Sequence, residues 1–89
     1  PLCDCVGFSG TYIVPDIGII ASTDPVAIDA ASLDLVNAQL GNSNSDLKCN
    51  HEKGADKFLG LYKHVDGSLQ LKYGEEIGLG SKSYELVKV

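Results

Sequence analysis

The stretch Ile17-Gly18-Ile19-Ile20-Ala21-Ser22-Thr23-Asp24-Pro25 restricts the possible folds more than any other part of the chain. Its first half is a nearly continuous apolar run rich in β-branched residues. Such a run reads as a strand buried on both faces, as in a parallel sheet. Its second half reads as a helix start. Asp24 is placed to cap, Pro25 suits the first helical position, and the residue before a proline is driven out of the α region. The spacing predicts a helix from Pro25 to about Leu40, stopped by Gly41. At about 100° per residue, Val26, Ala27, Ile28, Ala30, Ala31, Leu33, Leu35, Val36 and Leu40 point nearly all the way round, so a largely buried helix is expected. Strand, tight turn and buried helix form half of a βαβ unit. The expected class is α/β, with one buried strand, a long buried helix, two shorter helices and a short C-terminal strand.

The remaining elements follow from local pattern. Tyr12-Ile13-Val14 reads as a short extended piece ended by Pro15. Gly41 to Gly54 carries Asn42, Ser43, Asn44 and Ser45 and reads as a surface loop. Ala55 to Tyr62 reads as a short helix with Phe58, Leu61 and Tyr62 on one side. Ser68 is placed to cap a third helix whose inward stripe is Leu69, Tyr73 and Ile77, with Gly78 and Gly80 ending it. Tyr84 to Val89 reads as a final strand.

Eighty-nine residues suit a single domain spanning 1–89, at the size where one core is only marginally sufficient. The chain contains no methionine and opens on Pro1-Leu2-Cys3, which leads to the expectation of a C-terminal fragment of a larger protein. Three cysteines, an odd number, make a poor disulfide framework and point to a reducing cytoplasm. No apolar run approaches the roughly 20 residues of a membrane helix, and no targeting segment is present. Seven basic residues against twelve acidic ones give a net charge of −5, which argues against nucleic acid as a partner. The acid excess reads as a means of staying in solution.

Two groups of residues have the chemistry of a site. Cys3 and Cys5 are spaced to converge on one soft metal ion, and Cys49 and His51 repeat that spacing in the polar loop. Together they supply four sulfur and nitrogen donors, enough for tetrahedral zinc or for iron. The plain alternative is three free thiols and a surface histidine. The second group is Ser22, Thr23 and Asp24, with Asp29 one turn on, where a helix N-terminus would present free N–H groups beyond a strand end. A carboxylate there suits a metal or a hydroxylated ligand better than a phosphate. Read plainly, Asp24 is a helix cap. Asp29 falls in the sector of Leu33, Val36 and Leu40, so it is expected to be buried and to need a partner. Asp34 lies between Ala27 and Ala30 with easier access to water. Asp16 reads as turn chemistry, His64 as solvated, and Gly78-Leu79-Gly80 lacks the third glycine of a dinucleotide site.

The segment Ile19-Ile20-Ala21-Ser22-Thr23-Asp24-Pro25-Val26-Ala27-Ile28-Asp29-Ala30 resembles the most recognisable stretch of the "domain of unknown function 362" family. Cys3-Asp4-Cys5, Val14-Pro15-Asp16-Ile17-Gly18, Gly78-Leu79-Gly80-Ser81 and Tyr84-Glu85-Leu86 resemble its ferredoxin-containing branch. The resemblance implies an α/β domain accompanied by a preceding ferredoxin module with two four-iron clusters. This chain has no C-x-x-C-x-x-C run, so those clusters would belong to the missing module. Two functions stay open. One is a segment of an iron–sulfur-associated redox protein, partnered by the rest of the polypeptide or a ferredoxin module. The other is a metal-stabilised structural or interaction module without catalysis. A hydrolase or transferase built on Asp24 and Asp29 comes third.

Overall fold

The structure, a computed structural model, describes residues 6–89. Three helices order the described chain: α1 (Pro25–Asn37), α2 (Lys57–Leu61) and α3 (Leu69–Glu76). No strand occurs among the described residues, so the expected α/β class is incorrect.

The start of α1 follows the sequence closely. Asp24 has extended backbone angles, and its Oδ1 accepts from the amides of Val26 and Ala27 at 2.9 and 3.0 Å. Pro25 sits in the first turn, where its missing N–H leaves no bond unmade. The far end comes three residues early. The amide of Ala38 bonds to Asp34 O and that of Gln39 to Val36 O, which tightens the last turn well before Gly41.

Only one face of α1 is covered. Val26, Ala27, Ala30 and Ala31 are buried, whereas Asp29, Asp34 and Leu40 are exposed. The covering element is α3, and Val26, Ala30 and Leu71 form the cluster between them, with Leu33 packed alongside. The inward stripe of α3 is therefore Leu71 and Gly74, while Leu69, Tyr73 and Ile77 are exposed. Gly74 fixes this choice. A Cβ added there would sit 3.0 Å from Val26 Cγ2, so the side chain α3 lacks at this position is what lets the helices meet.

The expected strands fail for a nonlocal reason. Residues 17–21 and 84–89 form no backbone hydrogen bond with other backbone groups among the described residues. Ile19 is fully exposed at 100%, and Leu86, Val87 and Val89 are exposed as well. A β-branched run describes a strand only when a neighbouring segment completes the ladder, and α1 and α3 offer none. One side-chain tie holds the C-terminal stretch to α1: the Tyr84 hydroxyl donates to Asp34 Oδ2 at 2.5 Å.

The polar connection after α1 is ordered rather than a plain surface loop. Gly41 N donates to His51 O (2.6 Å), Asn42 N to Ile13 O (2.6 Å), and Gly54 N to Asn37 O (2.7 Å). Leu47, at 3% exposure, plugs it against Gly41 and Gly60. Asn50 takes the left-handed conformation (φ 62°) that lets the chain turn there.

Lys57 holds this connection to α1. Its side chain is fully buried, and Nζ donates to three backbone carbonyls: Asn37 (3.1 Å), Glu52 (2.6 Å) and Ala55 (3.0 Å). Its own amide donates to Asn37 Oδ1 at 2.9 Å. The ammonium thus supplies a donor to the open C-terminal end of α1, where carbonyls lack helical partners and the dipole favours a cation.

Candidate functional site

Asp24 sits at the junction of α1 and the chain beyond α3. While Oδ1 caps α1, Oδ2 accepts from the amide of Ser81 at 3.0 Å, and the amide of Asp24 donates to Ser22 Oγ at 3.0 Å. Gly80 makes this possible, since a Cβ there would overlap the Asp24 carboxylate. The amide of Ala27, followed by those of Ser81 and Val26, holds the carboxyl below the usual aspartate range against partial desolvation. A depressed folded pKa means that the stability is present above the ordinary aspartate range and is lost as the pH falls through the folded value. Asp24→Ala should therefore lower the melting temperature by several degrees near neutrality, and the gap to the parent should close in strong acid. Melts followed by circular dichroism across that range test this, and a pH-independent gap would rule out the carboxylate as the cause.

Among the described residues, Ser22 and Asp29 line different cavities. Ser22 lines a small cleft of about 80 Å³ against Ala27, Ala31 and Tyr84. Asp29 borders a separate groove of about 500 Å³ whose walls include Leu33, Phe58, Val65, Leu71 and Asp66. The expectation that Asp29 is buried is incorrect. Its sector is apolar in sequence, but no element packs over it, and its carboxylate has no partner among the described residues. Asp66, across the groove, is engaged by its own turn: the Ser68 hydroxyl (2.6 Å) and the Ser68 amide (3.0 Å) hold its carboxyl low.

Of the four soft-metal donors, Cys3 and Cys5 lie outside the described residues. Cys49 is an exposed thiol whose Sγ lies 4.0 Å from Gly60 O, a weak hydrogen bond. His51 is half-buried. Its Nε2 is shut off from solvent with no hydrogen-bond partner, while its backbone carbonyl is held by Gly41. The groove beside Cys49 does not reach His51. No group of three or more His, Cys, Asp or Glu side chains among the described residues is arranged to hold a metal ion. No described helix is long and apolar enough to cross a membrane.

Residues 1–34 match the family described as Domain of unknown function (DUF362). No curated protein and no solved structure matches the chain. The matched stretch ends inside α1, so it includes Cys3, Cys5, the cap at Asp24 and Asp29, and leaves α2, α3, Cys49 and His51 beyond it.

Local sequence pattern carries no sign of the buried role of Lys57, and it marks His51 as a metal donor without showing that Nε2 is enclosed. Lys57 looks like one more surface lysine in a helix of five residues, because the carbonyls that bury it come from Asn37, Glu52 and Ala55. The orphaned nitrogen of His51 depends on how the connection folds over it. Gly60 was not singled out from the sequence, although a signal for it exists. A glycine inside a helix is unfavourable by propensity, so its presence points to a close neighbour.

Proposed function

We propose that this chain is a segment of an iron–sulfur-associated redox protein and carries a soft-metal site, for zinc or iron, built from Cys3, Cys5, Cys49 and His51. The observation that carries the reading is the Nε2 of His51, enclosed and unpartnered two residues from an exposed thiol. An unsatisfied buried polar atom costs about 1–3 kcal/mol, and a ligand bond would offset that. Cys49 and His51 face different spaces as the chain stands, so their side chains would have to turn toward a shared ion. Metal analysis of the anaerobically purified chain is the test. About one equivalent of zinc or iron per chain is expected. It should be lost in Cys49→Ser and in His51→Ala. A metal-free chain, or metal retained by both variants, sinks the proposal.

A second reading, an interaction module without catalysis, is favoured by a different observation. The chain of 9.4 kDa exposes 6560 Å², against about 5,000 Å² for a folded monomer of that mass. The surplus is roughly twice the ~800 Å² that one partner contributes to an ordinary protein interface. It includes Ile17, Ile19, Leu86 and Val87, which a partner such as the rest of the polypeptide or a ferredoxin module would cover.

A further inference from the structure

The groove next to α2 has a charge opposite to that of the chain. Its volume is about 630 Å³, and Lys48, Lys63 and His64 line it together with Leu59, Tyr62 and the thiol of Cys49. No Asp or Glu is among its lining residues, although the chain carries twelve acidic residues against seven basic ones. Two lysines and a histidine thus gather at one cavity in a chain of net charge −5. Like charges brought together repel unless an anion joins them, and a concave apolar wall strengthens such an attraction by thinning the water around it. The size is that of pockets that hold small organic molecules.

We propose that this groove binds a small organic anion, a phosphate or carboxylate head on an apolar or aromatic body. Lys48 and Lys63 meet the head, and Leu59 and Tyr62 meet the body. The floor is tied to the loop before it: Gly60 is buried, and its carbonyl accepts from the amide of Lys48 at 3.3 Å. The charged ends, by contrast, are exposed and free to close on a ligand. Neither the metal proposal nor the family match involves these lysines.

The test is an amide-shift titration of the isotopically labelled chain with 1-naphthyl phosphate, 1-naphthoate and the neutral 1-naphthol. At low salt at least one of the two anions should shift the amides of 48–49 and 59–64, with 1-naphthol about ten-fold weaker. Whichever anion binds tighter identifies the head. The double variant Lys48→Ala/Lys63→Ala should weaken that anion about ten-fold, as expected for two exposed charge contacts, while Lys72→Ala/Lys88→Ala should not. Raising ionic strength from about 0.01 to about 0.15 M shortens the screening length from about 30 to about 8 Å and should weaken binding of the unaltered chain several-fold. Naphthol binding as tightly as the anions, shifts centred elsewhere, or no response to salt overturns the proposal. Unchanged affinity in the double variant does so too.

Discussion

Lys57→Met is expected to lower the unfolding free energy by about 3–4 kcal/mol, a large share of the roughly 4–13 kcal/mol that a domain of this size possesses. Met keeps the length and apolar stem of the side chain but removes three charge-assisted hydrogen bonds: Ala55 O is left without a donor among the described residues, while Asn37 O keeps only the Gly54 amide and Glu52 O only the Ala55 amide. A buried acceptor without a partner costs about 1–3 kcal/mol, and hydrogen bonds to a charged group are among the strongest. Urea unfolding measures the effect: the midpoint should drop with the slope unchanged. Lys53→Met, at an exposed position in the same connection, should stay within about 0.5 kcal/mol of the parent. If the two variants unfold alike, Lys57 does not hold the connection to α1. The pH dependence gives a separate handle. Burial pushes the Lys57 ammonium below the ordinary lysine value, with Glu52 and Asp56 pulling it partly back. In the alkaline window between the folded and unfolded values the unfolded chain holds more protons. This residue therefore makes stability rise with pH there, and the variant should lose that rise.

The second large effect is expected at Gly60, inside α2. A methyl group at this position would overlap the carbonyl oxygen of Cys49 and lie 3.0 Å from Leu47 Cδ1. The obstacle is backbone, so no rotamer change removes it. Gly60→Ala should cost about 3 kcal/mol, at the upper end for over-packing, even though alanine is the better helix former. Chemical denaturation gives the magnitude, and amide shifts show where the strain goes. They should move at Leu47 to Asn50 and leave the α1–α3 contact unchanged. A neutral or stabilising substitution would mean that α2 and the Cys49 turn are further apart than described.

What the sequence revealed and what it hid divide along one physical line. The start of α1 was legible because every group that makes it lies within three residues of Asp24: Ser22, Pro25 and the amides of Val26 and Ala27. The existence of α2 and α3 was legible from local apolar spacing, although Ser68 makes no side-chain cap bond at α3 and the cap of α2, Asp56, was not read from the sequence. The strands at 17–21 and 84–89 were misread because a ladder needs a neighbour, and periodicity within a segment contains no information about whether one is present. Asp29 was misread in the same way. Its position on the wheel was right, but which sectors of α1 become covered depends on α3, which presents Leu71 and Gly74 rather than Leu69 and Tyr73. Of the candidate metal donors, the sequence supplied identity and spacing. It could not supply direction, which is set at Cys49 and His51 by the left-handed turn at Asn50 between them.

The unpaired extended segments also bear on how the chain behaves among copies of itself. Residues 17–21 and 84–89 present open backbone groups with exposed Ile and Val side chains, the arrangement from which edge-to-edge association between molecules begins. Away from its isoelectric point the surplus of carboxylates keeps copies apart by mutual repulsion. At a pH near 4.7 that repulsion vanishes while the open edges remain. The acid excess then acts as a colloidal guard over two edges that the fold leaves open, and mild acid removes the guard before it unfolds the helices.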